Sequence, residues 1–152
     1  MLLSGFEEEN FTNYRWPTMT VGFPACSFKC GRWCQNINLG SSPRIEIPTE
    51  MIVRRYLANS ITKGIVCAGL EPIDTFGMLM GLLESFRERT SDVAIVYTGY
   101  DEFEIPDQTE RLRDVGNIIV KYGRYVPNQQ GHFDEVLGVS LASDNQYAMR
   151  LA

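Results

Sequence analysis

Cys26, Cys30 and Cys34 fall within nine residues, in the run Cys26-Ser-Phe-Lys-Cys30-Gly-Arg-Trp-Cys34. Thiolates are soft, anionic ligands suited to iron–sulfur clusters, zinc and copper(I). A structural zinc site uses four ligands, often as two C-x-x-C pairs. Neither pair spacing occurs here, and the only histidine, His132, lies far along the chain. A cuboidal 4Fe-4S cluster commonly takes four cysteines, so three from one loop leave one iron with an open position. A ligand carrying an amine and a carboxylate can chelate that iron and hold its own reactive bond beside the cluster. Two alternatives stand beside this reading: a zinc loop completed by Cys67 or His132, and a group of incidental buried thiols. Cys67 itself lies inside an apolar run and reads as a small core residue.

The elements that must position the loop follow from hydrophobic pattern. Met19 to Phe23 reads as a short strand, closed by Pro24, and the cysteine loop follows it directly. Thr49 is the expected N-cap of a helix over about Glu50 to Asn59, with Ile52, Val53, Tyr56 and Leu57 as its apolar face. Gly64 to Ala68 and Val93 to Tyr97 are continuous apolar runs, as expected of strands buried on both faces. Between them, Phe76, Leu79, Leu83 and Phe86 keep helical spacing over about Thr75 to Arg89. In that helix Gly77 and Gly81 are expected to allow close approach to the sheet, and Met78 and Met80 read as core or helix flank. A short helix is expected around Arg111, a strand at Asn117 to Lys121, and a fifth at Val136 to Val139. Gly5 to Pro17, alternately aromatic and polar, reads as an irregular arm.

Strands alternating with helices predict βα units on a parallel sheet. The expected architecture is α/β: an incomplete parallel (β/α) barrel of about five strands, in a single domain over 1–152 with its core at about 19–146. Ligands of such sheets bind beyond the C-terminal strand ends. The cysteine loop, Gly69-Leu70-Glu71-Pro72 and Thr98-Gly99-Tyr100 follow three successive strands, so they are expected to converge on one site.

Composition bounds the rest. Hydrophobic residues make up 44% and charged residues 22%, a balance that supports a packed core and argues against disorder. The net charge of −5 gives no basic footprint for nucleic acid. No apolar run reaches the roughly 18 residues of a membrane helix. The start turns acidic at Glu7-Glu8-Glu9, unlike a secretory leader. A reducing, cytoplasmic setting is therefore expected, in which clustered thiols point to metal or redox chemistry.

With these residues in view, the loop resembles the C-x3-C-x2-C signature of radical S-adenosylmethionine enzymes, where an aromatic residue precedes the third cysteine, as Trp33 does here. The second spacing is three residues rather than two. Gly69-Leu70-Glu71-Pro72 resembles the family's Gly-Gly-Glu-Pro motif, with Leu70 at the second glycine. Within the superfamily the chain is most similar to the activating proteins of anaerobic ribonucleotide reductase. The similarity extends to Tyr97-Thr98-Gly99-Tyr100, to Val120-Lys121-Tyr122-Gly123-Arg124-Tyr125 and to Ser143-Asp144-Asn145-Gln146, the last two with insertions.

The resemblance implies a 4Fe-4S cluster on Cys26, Cys30 and Cys34 and a bound S-adenosylmethionine, with no catalytic side chain beyond the two cofactors. It implies that Glu71 receives the methionine ammonium, where residue type alone would also allow a surface carboxylate at a turn. From residue type, Gly69 allows close backbone approach, Trp33 neighbours the adenine or packs the loop against the core, and Thr98 makes a polar contact or ends its strand. The implied reaction passes one electron to the sulfonium, giving methionine and a 5′-deoxyadenosyl radical that takes hydrogen from a glycine of the partner reductase. The implied partners are that glycyl-radical enzyme and a low-potential donor such as flavodoxin or ferredoxin. Lys121, at a strand end, reads as a surface lysine, with pairing to a ligand carboxylate as the alternative. Arg124, Asn128 and Asn145 are expected in late loops near the site, and His132 in an exposed loop. The alternatives in function are radical chemistry on another peptide or small molecule, and a non-catalytic Fe–S or zinc protein that binds a partner.

Overall fold

The computed structural model describes residues 1–27 and 41–151. In chain order the strands are β1 (Leu2–Leu3), β2 (Gly5–Asn10), β3 (Thr18–Phe23), β4 (Ile45–Glu46), β5 (Gly64–Gly69), β6 (Val93–Tyr97), β7 (Ile118–Tyr122), β8 (His132–Asp134), β9 (Val139–Leu141) and β10 (Tyr147–Leu151). The helices are α1 (Thr49–Ala58), α2 (Phe76–Arg89) and α3 (Pro106–Val115). A 3-10 turn, Pro72–Thr75, leads into α2.

Six strands form one mixed sheet in the order β10-β7-β6-β5-β3-β2. The neighbours β3–β5, β5–β6 and β6–β7 are parallel, whereas β2–β3 and β7–β10 are antiparallel. Two short antiparallel pairs, β1–β4 and β8–β9, lie outside it.

The register sorts side chains by face. Val21, Cys67, Val96 and Val120 are successive partners across β3, β5, β6 and β7. They belong to a core shared with Ile52, Val53 and Tyr56 of α1, Leu79, Leu83 and Phe86 of α2, and Leu112 of α3. Burying one such aliphatic side chain contributes about 1.5–3 kcal/mol. Alternate residues point the other way. Val66, Ile95 and Ile119 pack there with Tyr14, Leu137 and Leu141, so this face is covered by the segment after β2 and by β8–β9. Arg15 ties those two covers together, its backbone N–H donating to Leu137 O at 2.8 Å and its guanidinium to Val136 O at 3.2 Å.

The expected incomplete parallel barrel of about five strands is therefore corrected to a mixed sheet. Parallel βα winding stops at β7. Gly123, at φ +102°, turns the chain out of the strand, no helix follows among the described residues, and the chain returns through β8–β9 to lie antiparallel to β7 as β10. The expected strand at Val136–Val139 is largely the β8–β9 connection. Gly5–Asn10, expected to be irregular, is an edge strand, while the arm reading holds for residues 11–16.

Local corrections follow the same physics. Pro48, not Thr49, caps α1, with extended φ −60° and ψ 142°. Leu57 is exposed on α1. Gly77 and Gly81 face outward, with open space where a Cβ would stand, so they do not bring α2 toward the sheet. His132 lies in β8, partly buried, and its Nε2–H donates to Gln146 O at 2.6 Å. Among the described residues, no helix is long and apolar enough to cross a membrane.

Candidate functional site

The C-terminal ends of the parallel strands open into a cavity of about 870 Å3 on the face opposite α1, α2 and α3. That volume lies within the roughly 300–1,000 Å3 of small-molecule sites. Its floor follows from register: Gly22 pairs with Ala68, and Tyr97 with Lys121, one residue beyond the row that faces the helices. Cys26, Gly69, Glu71 and Thr98 stand at its strand-end side. The three expected loops thus converge, as far as they are described.

Backbone hydrogen bonds continue past the ends of β3 and β5. Leu70 N–H donates to Phe23 O at 3.2 Å and Glu71 N–H to Ala25 O at 2.8 Å. These bonds hold the Gly69–Glu71 turn beside the start of the cysteine loop. Gly69 has φ +83°, and a Cβ there would meet Gly22 Cα at 2.7 Å and Phe23 N at 2.9 Å. Only glycine satisfies both the left-handed backbone and the approach. Ser4 Oγ is the third group against this position, at 2.7 Å from the same point. It is buried without a hydrogen-bond partner among the described residues.

Glu71 is 7% exposed. Its Oε1 accepts Ile73 N–H at 3.0 Å and its Oε2 accepts Gly99 N–H at 2.8 Å, with the Thr98 hydroxyl as a further donor. Burial pushes the carboxyl above its ordinary value, the three donors pull it back in part, and nearby Asp74 adds to the rise. Thr98 is itself buried: its Oγ1 accepts Tyr100 N–H at 3.0 Å and its N–H donates to Lys121 O at 2.9 Å. Glu71 and Thr98 therefore join the ends of β5, β6 and β7.

Lys121 is buried on the cavity floor, its Nζ donating to Gly123 O at 3.0 Å and lying 5.8 Å from the Tyr97 ring centroid. The Tyr97 hydroxyl donates to Asn13 O at 2.6 Å, and burial raises its pKa. Gln146 closes the far side, with Oε1 accepting Ala142 and Ser143 N–H at 3.1 Å each and Nε2 donating to Gly123 O at 3.2 Å. Arg124 is engaged by Glu104, at 3.0 and 3.2 Å. Asn145 Nδ2 donates to Arg124 O at 2.7 Å, and Asn128 sits in an exposed turn at φ 64°.

Cys26 is partly buried and lines the cavity. Cys30, Trp33 and Cys34 lie outside the described residues. Among the described residues no three His, Cys, Asp or Glu side chains gather as a metal site. Cys67 is buried on the opposite, helix-covered face, where burial pushes its thiol up, so it is a core residue and is turned away from Cys26. Sequence reasoning missed Ser4, Asn13 and Tyr97 as lining residues. Strand parity marks Tyr97, two residues beyond buried Ile95, but nothing local marks Ser4 or Asn13.

Cys26 brings a soft thiol ligand to the strand-end side of the cavity, and Cys30 and Cys34 follow it in sequence. The buried carboxyl at Glu71 offers acceptor oxygens that suit a cationic amine, and the bare backbone at Gly69 and Gly99 suits a ligand lying close. No family model matches the chain, and no curated protein matches it in sequence.

Proposed function

We propose that the chain holds a 4Fe-4S cluster on Cys26, Cys30 and Cys34 and cleaves S-adenosylmethionine reductively. The observation that carries this reading is the convergence of Cys26, Gly69, Glu71 and Thr98 on one cavity beyond adjacent parallel strand ends. When bound, such a cluster supplies one low-potential electron, and the sulfonium that accepts it divides into a thioether and a carbon radical.

The chain's own residues bind, orient and exclude. Glu71 accepts a hydrogen bond from the ligand ammonium, a charge-assisted contact in a buried setting. Gly69 lets the ligand lie against the backbone and Thr98 holds Glu71 in place, and in this reading Trp33 supplies an aromatic partner for the adenine. Lys121 and Tyr97 form a polar floor, and the β8–β9 side restricts water. From the resemblance, the hydrogen donor is a glycine of an anaerobic ribonucleotide reductase, and the electron donor a flavodoxin or ferredoxin.

Anaerobic reconstitution is expected to give about four irons per chain, the content of one such cluster, and reduction with S-adenosylmethionine to release 5′-deoxyadenosine. Cys30→Ala is expected to lose the cluster and Cys67→Ala to keep it. A chain that takes up zinc instead, or that holds iron but releases no 5′-deoxyadenosine, refutes the proposal.

A further inference from the structure

We propose that Asp74 is a positioning residue that fixes the path of the chain into the cysteine loop and so aims Cys26 at the cavity. The proposal rests on the reading of Cys26 as a cluster ligand. Asp74 lies in the turn after Glu71-Pro72, yet neither of its oxygens has its described bond within its own helix. Oδ2 accepts Ser27 N–H at 2.7 Å, and Oδ1 accepts the Tyr100 hydroxyl at 2.6 Å. Both lengths are those of charge-assisted bonds.

The Ser27 bond completes a series. Phe23 O, Ala25 O and Ser27 N–H are bonded in turn by Leu70 N–H, Glu71 N–H and the Asp74 carboxylate. The first two bonds are backbone, like the β3–β5 ladder they extend. At the third the two chains have parted, and a side chain spans the gap. Residues 23, 25 and 27 are thereby held toward the Glu71 turn. Cys26, between the last two, lines the cavity.

Tyr100 then braces Asp74 from the β6 side. The Arg124 guanidinium carbon stands 5.5 Å from the Tyr100 ring centroid, and Arg124 pairs with Glu104 at 3.0 Å. The first residues of the cysteine loop are thus tied through one carboxylate to loops after β5, β6 and β7. Glu71 lines the cavity, and Asp74, three residues on, holds Ser27 at the start of the cysteine segment.

The test compares wild type with Asp74→Ala, Asp74→Ser and Asp74→Asn. Ser27 amide exchange is measured on the unloaded chain, iron loss to a chelator on the reconstituted chain, and the urea midpoint is the folding control. Asp74→Ala is expected to speed Ser27 exchange about tenfold, the scale of one bond to a charged group, and to speed iron loss while the urea midpoint moves little. Asp74→Ser, too short to reach, serves if the alanine variant does not fold. Asp74→Asn keeps an acceptor and is expected to restore Ser27 protection. Wild-type exchange or wild-type iron retention in the alanine and serine variants overturns the proposal. A wild-type chain that takes up no iron overturns the functional reading instead, and with it the role of Asp74 in aiming a ligand.

Discussion

Glu71 carries a carboxyl group whose burial favours the proton, while three donors favour the charge, and burial prevails. The folded chain therefore binds this proton at pH values where the unfolded chain has released it. The stability it contributes is complete below the ordinary carboxylate value and is lost as pH rises through the raised one. A cationic ligand reverses the preference, because it favours the ionised form. Affinity for S-adenosylmethionine is expected to rise with pH across that window, with proton release on binding. Glu71→Gln is expected to flatten the dependence and weaken binding about tenfold or more. Calorimetry in buffers of different ionisation enthalpy checks this, and pH-independent binding with no loss in Glu71→Gln would remove Glu71 from the site. The placement of Glu71 and Thr98 just beyond β5 and β6 was legible in the sequence, because each follows a run of buried strand residues. Ser27 and Asp74 were not, since 47 residues separate the partners and neither has a distinctive neighbour.

At the scale of elements, the buried strands β3, β5, β6 and β7 and the helices α1, α2 and α3 were legible, because apolar runs and helical spacing mark them directly. The edge strands were not. β2 contains Glu7-Glu8-Glu9, residues of low strand propensity whose extended form comes from pairing with β3. Two glycine positions separate the demands of the site from those of a helix. Gly69→Ala is expected to cost about 2 kcal/mol or more, from the left-handed backbone and contact with Gly22 and Phe23. Gly77→Ala is expected to gain about 0.5–1 kcal/mol, since that glycine is exposed in α2 with nothing near its Cβ position. Urea midpoints of the two variants test both signs, and a stabilising Gly69→Ala would mean the turn relaxes.

The whole molecule differs from the expected barrel in how its parallel run ends. Three crossovers between β3 and β7 were readable as alternating strands and helices. The reversal after Tyr122 was not, because the turn at Gly123 and the antiparallel return of β10 depend on contacts with β7. The order of the sheet sets an order of stability. β5 and β6 have strand neighbours on both sides and buried residues on both faces, so their amides are expected to exchange slowest, with the two-residue β1–β4 pair opening first. Hydrogen exchange by residue tests this, and faster exchange in β6 than in β1 would contradict it.

The glutamates of β2 also bear on how the sheet meets other chains. β2 is the outermost strand on its side, its pairing with β3 shifts register between Glu7 and Asn10, and Glu7, Glu8 and Glu9 are exposed along it. An incoming strand from a second copy would bring the same three carboxylates against these, across a break in the hydrogen-bond spacing. Such borders resist edge-to-edge growth of the sheet, so the residues that hid this strand from recognition also keep it from becoming a template.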